Sequence, residues 1–334
     1  MSAGQVHPGQ VPPDRTVSVV IPTWDGLAML ERCLTALAAQ TRPADEVVVV
    51  DNGSVDGTAQ ALAAGWPKVV VVGLPVNRGF AGGCNAGIVR STGSRVVLLN
   101  NDAEPDPDWL AELLAVDAGA GPRSAAVTSK LVDHDGRLQD TGDLLTRWGQ
   151  ALQRGSGELD RGQYDDAADV LSPCGGACLW RREALEQVGL FEETFFAYFE
   201  DLDLGLRARL LGWEVRFAPR AVVRHDVSGT SSRIPWFRQY HNTRNLWWLV
   251  LRCVPAPVLP GVLVRLVLVQ LKGVAGGARR GQLRTTLRAH ADAARALRQV
   301  LRDRRRIQAG AAPGQAAAVA RLIVQARRED GVRR

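Results

Sequence analysis

The chain has 334 residues, 46% of them apolar, with 41 basic against 35 acidic side chains and a net charge of +6. This composition suits a large globular core and excludes a disordered chain or a small disulfide-stapled module. Cys33, Cys84, Cys174, Cys178 and Cys253 are an odd number at unrelated spacings, and Cys174 and Cys178 lack the second Cys or His pair that a zinc site needs, so a reducing cytoplasm is expected.

Residues 1–15 are rich in Pro, Gly and Gln and lack an apolar stretch, which predicts a flexible tail and not a signal peptide. Beyond them Val17 to Ile21 predicts a strand, Leu27 to Gln40 a helix, Glu46 to Val50 a strand and Thr58 to Ala64 a helix. A strand over Val69 to Val72, a helix over Ala81 to Arg90 and a strand over Arg95 to Leu99 follow. The alternation implies an α/β fold with parallel strands and crossover helices. In such sheets the ligand crevice opens at the carboxyl ends of the strands. Four loops leave those ends: Pro22-Thr23-Trp24-Asp25-Gly26, Asp51-Asn52-Gly53-Ser54, Asn77-Arg78-Gly79-Phe80-Ala81-Gly82-Gly83, and the acidic segment that starts at Asn100. They should converge on one site.

In the last of these, Asn100, Asn101, Asp102, Glu104, Asp106 and Asp108 crowd the end of the fourth strand. One reading is a solvated loop in which Asp106 and Asp108 cap a helix starting at Trp109. The other is a divalent cation held by a strand-end carboxylate. Asp51 likewise reads as a turn acid, and the glycines at 79, 82 and 83 as a tight turn or as an anion cradle at a helix start with Arg78 beside it. Glu200, Asp201 and Asp203 stand at the start of a helix in which Leu202, Leu206 and Leu210 recur. Three acids in four positions exceed what the helix dipole needs.

The segments VSVVIPTWDG, VVVVDNGSVDGT, NRGFAGGCNAGI, LLNNDAEP and FFAYFEDLDLGLRARLLGW resemble, in order and spacing, the family 2 inverting glycosyltransferases of GT-A fold. NRGFAGG, DGRLQDTG (Asp135 to Gly142) and the Arg244-Asn245 pair are most similar to bacterial rhamnosyltransferases of cell-envelope glycan synthesis. The similarity spans about Val17 to Ser232. It implies a GT-A domain at 16–232, with a nucleotide-sugar half (16–130) and an acceptor half (131–232), then an apolar helical segment at 233–278 and an Arg/Ala-rich helical tail at 279–334.

For the site, the resemblance implies that Pro22, Thr23, Trp24, Asp51, Asn77, Arg78, Gly79, Gly82, Asn85, Asn100 and Asn101 bind the nucleotide sugar, with Asp51 on the pyrimidine ring. Trp24 departs from the Asn or Tyr usual at its place, and it could stack on the nucleotide or pack beneath the loop. Asp102 matches the metal ligand of the family's D-x-D motif, here Asn100-Asn101-Asp102, so the first acid is an amide. Glu104 and His225 are the further ligand candidates for Mg²⁺ or Mn²⁺. Asp201 falls at the position of the general base, with Glu200 and Asp203 orienting the acceptor or tuning the base. Gly175, Gly176 and Ala177 would leave room for the donor and acceptor sugars.

Leu246 to Leu271 is apolar but interrupted by Arg252, Arg265 and three prolines, which predicts an interfacial or re-entrant segment and not an uninterrupted membrane span. Ten arginines between 279 and 306 stand against Asp292 and Asp303, with Leu283, Leu287, Leu297 and Leu301 at helical spacing. That pattern predicts a basic amphipathic surface for anionic lipid, without nucleic acid as partner. The resemblance thus implies transfer of rhamnose from a dTDP-linked, or another sugar from a UDP-linked, donor to a glycan or polyprenyl-linked acceptor. The enzyme would lie at the inner face of the cell membrane. A galactofuranosyl or other hexosyl transferase of the family, or an inactive nucleotide-sugar-binding membrane protein, is the alternative.

Overall fold

Strand β1 (Val17–Thr23) is buried along its whole length, and its side chains alternate between two apolar layers. The computed structural model describes residues 15–166, 169–225, 234 and 236–326. The N-terminal tail apart from Arg15, the end of the basic tail and the expected boundary at Ser232 lie outside them. Val17, Val19 and Ile21 point to α1 (Leu27–Ala38), while Val20 points to the opposite layer. From there β2 (Glu46–Asp51), α2 (Thr58–Gly65) and β3 (Val70–Gly73) build outward, and α3 (Gly79–Arg90) returns the chain so that β4 (Arg95–Leu99) lies beside β1. These four strands are mutually parallel in the order β3-β2-β1-β4. The reversal of direction between β1 and β4 makes a switch point, where the carboxyl ends of both strands open a crevice.

The second half of the sheet is mixed. After β5 (Ala103–Pro105), α4 (Trp109–Gly119) and β6 (Ser124–Val132), β7 (Leu138–Asp140) pairs with β6, and β8 (Asp143–Leu145) and β9 (Ala151–Gln153) form a separate hairpin. Strand β10 (Ala177–Arg181) inserts antiparallel between β4 and β6, opposing Ala177 to Leu99. Its insertion hydrogen-bonds Asn100 N to the Gly176 carbonyl at 2.8 Å. After α5 (Arg182–Val188) and α6 (Glu200–Leu210), β11 (Glu214–His225) runs parallel to β6 and ends with His225 opposite Ala103. The alternation of the first hundred residues thus gives a parallel half-sheet, and the later strands add the antiparallel pairs that periodicity alone did not separate.

Helix α6 is apolar on two sides. Leu204 and Ala208 pack under the sheet, while the stripe Leu202, Leu206 and Leu210 faces α7 (Phe237–Cys253) and the helices after it. Those are α8 (Leu259–Arg279), α9 (Leu283–Arg295), α10 (Leu297–Ala309) and α11 (Gln315–Gln325). The apolar stretch at 246–271 is therefore two pieces. Its first part belongs to α7 and is packed in the core, with Leu249, Val250 and Cys253 fully buried, and its second part is α8, joined through Pro255.

Asp106 and Asp108 do not cap α4 as expected. The Asp106 carboxylate pairs with Arg224, Asp108 accepts from the Thr41 hydroxyl, and no side chain caps the helix start.

Candidate active site

A cleft of about 660 Å³ opens at the switch point, and all four strand-end loops reach it. Pro22, Thr23 and Trp24 enter from β1, Asn52 from the end of β2, Asn77, Gly79 and Phe80 from the start of α3, and Asn100, Asn101 and Asp102 from β4. Gly175, Gly176, Glu200, Asp201 and His225 line it as well.

His225 stands where β11 ends, beside Asp102 from the loop after β4. Its Nε2 lies 3.1 Å from Asp102 Oδ1 and 3.1 Å from Asn100 Nδ2. Its Nδ1 lies 2.8 Å from Gln139 Oε1, while Gln139 Nε2 donates to the His225 carbonyl at 2.7 Å. A carboxamide oxygen only accepts, so Nδ1 carries a proton, and Nε2 is the ring atom turned to Asp102 and the cleft. Two ligand atoms on adjacent corners of an octahedron with bonds of about 2.1 Å are about 3.0 Å apart. The Asp102–His225 spacing matches that edge, so the pair fits a hard divalent cation. Among the described residues no group of three or more His, Cys, Asp or Glu side chains could hold a metal, so phosphate and water oxygens would complete the shell. Glu104, expected as a further ligand, instead ion-pairs with Arg32 at 2.7 Å on the outer face of β5.

On the opposite wall, Asp201 Oδ2 accepts from Gly175 N at 3.1 Å and Oδ1 from its neighbour Leu202 N at 2.8 Å. Gly175 is the close partner: a Cβ there would lie 3.2 Å from Asp201 Cβ. Burial raises the Asp201 carboxyl above the ordinary range against the opposing pull of these N–H groups. Glu200 is buried, its Oε2 has no hydrogen-bond partner, and burial together with Asp201 pushes its carboxyl well above the usual range. Asp203 does not join them. It is fully buried on the far side of α6 between Arg207 (2.8 Å) and Arg252 (2.9 Å), and these guanidiniums overcome its burial and hold its carboxyl low. It does not line the cleft and so is not placed to orient an acceptor; it ties α6 to α7, and its charge adds to the rise of Glu200, in keeping with the other expected role of tuning its neighbours.

Two acids that sequence reasoning left without a role complete this wall. Asp143 lines the cleft beside Asp140, whose Oδ1 accepts from Gly142 N and whose Oδ2 is buried without a hydrogen-bond partner. Burial raises Asp140 to about 6, and burial plus Asp140 raises Asp143 well above the usual range. Asp140 lies within the DGRLQDTG stretch and Asp143 directly follows it. The signal was its polar turn composition, which does not reveal that Gln139 and Asp140 turn inward.

The loop that carries Glu200 and Asp201 is strained. Phe196, Tyr198 and Phe199 have φ of 67°, 70° and 71°, in the left-handed region that only glycine adopts without penalty. Asn245 on α7, fully buried, donates to the carbonyls of Phe195 (2.9 Å), Ala197 (2.8 Å) and Tyr198 (2.9 Å), and Arg244 donates to those of Thr194 and Phe195.

Several of the expected nucleotide residues make framework contacts. Asp51 Oδ1 accepts from Ser54 N, as a turn acid does. Asn85 bridges Glu193 and the backbone of Phe191 away from the cleft, and Arg78 ion-pairs with Glu193 at 2.6 Å. The anion cradle expected at the start of α3 is also largely occupied. Arg78 N donates to Asn52, Gly79 N to Asn77 and Ala81 N to the Phe196 carbonyl. Gly79, at φ 74°, is glycine because a Cβ would lie 2.3 Å from that same carbonyl. Gly82 packs on Arg78, and Ala177 is buried in β10 behind the two lining glycines.

The strand order, the inserted antiparallel strand and the switch-point cleft define a GT-A fold, and solved glycosyltransferases share it. The mannosyltransferase PcManGT from Pyrobaculum calidifontis, in complex with GDP-Man and Mn²⁺, superposes with a TM-score of 0.52 at 22% identity, covering 94% of this chain and 90% of that one. TarS 1-349 of S. aureus in complex with UDP-GlcNAc gives 0.54 at 20% identity, covering 92% and 90%. The chain belongs to the family described as glycosyltransferase like family 2, which matches residues 12–248. N-acetylglucosaminyl-diphospho-decaprenol L-rhamnosyltransferase of Mycobacterium tuberculosis (strain ATCC 25618 / H37Rv) is 29% identical over 244 residues, covering 65% of this chain and 78% of the relative. O-antigen biosynthesis protein RfbC of Myxococcus xanthus is 31% identical over 224 residues, 64% of this chain but 17% of the relative.

Proposed function

We propose that this glycosyltransferase moves a sugar, rhamnose from dTDP-rhamnose in the first instance, from a nucleoside diphosphate to a hydroxyl of a polyprenyl-linked glycan, with inversion at the anomeric carbon. The observation that carries the reading is that Asp102, His225 and Asp201 line one cleft. Asp102 and His225 would hold Mg²⁺ or Mn²⁺, which when bound offsets the charge on the departing diphosphate. Gln139 fixes the His225 ring in the tautomer that leaves Nε2 free. Asp201 takes the proton from the acceptor hydroxyl as its oxygen attacks the anomeric carbon, while the bond to the diphosphate oxygen breaks and its electron pair leaves with the nucleotide. A carboxyl raised by burial is a stronger base than an exposed one. Choice of rhamnose and of a polyprenyl carrier follows the relative of 29% identity, whose name states both.

The test is a transfer assay with dTDP-rhamnose, UDP-galactofuranose and UDP-GlcNAc as donors and an N-acetylglucosaminyl-diphospho-prenol as acceptor, with Mn²⁺ or EDTA. Rhamnosyl transfer that EDTA abolishes is the expected result. Transfer from a UDP sugar alone would overturn the rhamnose assignment, and no release of nucleotide from any donor would favour a binding protein over an enzyme.

A further inference from the structure

We infer that the outer face of α8, with the turn of the β8–β9 hairpin beside it, is a docking surface for an anionic bilayer that sets the acceptor side of the cleft against the lipid headgroups. The inference deepens the proposed function, because it rests on a lipid-borne acceptor for its purpose. Helix α8 has 21 residues, about 31 Å at 1.5 Å each, and only 17% of its apolar window is buried. Val262 and Leu266 face the protein, whereas Val264, Val267, Leu268 and Leu271 stand exposed along the other side, Val264 to 68% and Leu271 to 60%. By length and apolar composition the helix could cross a membrane, against the interrupted segment expected from the sequence; with Val262 and Leu266 packed on the protein, we place it along the surface.

Charge and position identify what covers this stripe. Helix α8 contains Arg265 and Lys272 and no acid. The helices after it add exposed Leu283, Leu287, Leu297 and Leu301, each followed directly by an arginine. Of the two acids in α9 and α10, Asp303 is buried against Arg252 and Asp292 pairs with Arg295, so the exposed arginines carry a net positive field. Leucine tips among arginines that outnumber the acids match the boundary between acyl chains and anionic headgroups.

The hairpin links this surface to the chemistry. On one side Asp143, Ala151, Leu152 and Gln153 line the cleft. Five residues beyond Asp143, Trp148 is 37% exposed with the Arg265 guanidinium over its ring at 6.0 Å, and Gly149 abuts Val262 and Leu266 of α8. The turn packs against the protein-facing side of α8, and Trp148 reaches the flank of the helix at Arg265, so the hairpin runs from that flank to the cleft.

The experiment uses the full chain and vesicles of phosphatidylcholine with and without phosphatidylglycerol. Wild type should sediment with the anionic vesicles. Val264→Glu, Leu268→Glu and Leu271→Glu combined should weaken binding at least about tenfold while UDP affinity holds. Arg298→Gln, Arg302→Gln and Arg305→Gln should each weaken it about fivefold, on anionic vesicles only. Since all five native cysteines are buried, Trp148→Cys carrying an environment-sensitive dye should report a blue shift on the same vesicles. Unchanged vesicle binding by the glutamate variant, or a wild-type dimer that this variant splits, would overturn the surface, and a dye without response would overturn the hairpin's place in it. Vesicle binding by a protein that binds neither dTDP nor UDP would uphold the surface and overturn the proposed function instead.

Discussion

The side-chain amide of Asn245 donates to the carbonyl oxygen of Tyr198 at 2.9 Å, holding from α7 a residue whose φ is 70°. The same amide holds Phe195 and Ala197, so one buried residue fixes the strained turn that ends at Glu200 and Asp201. Left-handed backbone at three non-glycine positions persists only where surrounding contacts over-determine it.

Asn245→Ala should therefore do two separable things. Loss of three buried hydrogen bonds should lower stability by about 3 kcal/mol. In protein that remains folded, the carboxylates should lose their aim, and turnover should fall about tenfold or more while UDP affinity stays near wild type. Denaturant titration measures the first effect, and steady-state kinetics with donor-binding calorimetry the second. Equal losses in turnover and UDP affinity would show that the turn serves the whole cleft and not the base.

Gln139→Leu addresses the metal side without removing a proposed ligand. Freed from Gln139, the His225 ring can turn and take the other tautomer, and metal affinity should fall about 10- to 100-fold. Titration of dTDP with and without Mn²⁺ should show the metal-dependent gain shrinking while affinity in EDTA is unchanged. An undiminished Mn²⁺ effect would mean that His225 does not ligate.

What could be read from the chain follows contact range. Strands β1 to β4 and their helices are local apolar patterns, and β4 falls at Arg95–Leu99 as the sequence predicts. The turn residues at their ends reach the cleft because parallel topology leaves them no other destination. Asp203 was opaque: beside Asp201 in sequence, it faces the other side of α6, and its partner Arg252 lies 49 residues away. Gln139 was equally so, since its contact with His225 spans 86 residues. The amphipathic stripe Leu202, Leu206 and Leu210 was visible, but not that it faces the C-terminal helices and leaves Leu204 for the sheet.

Asp140 offers a test of the acidic wall through stability. Its carboxyl, raised by burial to about 6 from an ordinary 3.8, holds its proton more tightly in the folded than in the unfolded chain. The sign follows: this group favours folding below about pH 4, and the advantage is lost as pH rises through about 6. At neutral pH its ionisation costs up to about 3 kcal/mol. Asp140→Asn keeps the acceptor for Gly142 N and cannot ionise, so it should stabilise the protein at pH 7.5 and change little at pH 4. Chemical denaturation at both values checks this, and a variant destabilised at pH 7.5 but not at pH 4 would indicate that the carboxyl is wanted charged.

The base itself can be separated from its neighbour. Asp201 and Glu200 both line the cleft, but only Asp201 receives two backbone N–H groups that orient it, whereas Glu200 Oε2 has no partner. Asp201→Asn retains the shape and loses the proton acceptor, so transfer should fall by roughly 10² to 10⁴ with donor affinity preserved. Glu200→Gln should be milder. Asp201 must be ionised to act, and its carboxyl, raised by burial, means that wild-type turnover falls with acidity earlier than an ordinary aspartate would allow. Asp201 raises Glu200 and not the reverse, so Glu200→Gln should leave the acidic limb of turnover in place, whereas Asp201→Asn should remove it. Turnover against pH for both variants, each with UDP-binding calorimetry, decides the assignment. If Glu200→Gln abolishes transfer with binding intact while Asp201→Asn turns over normally, Glu200 is the base and Asp201 its support.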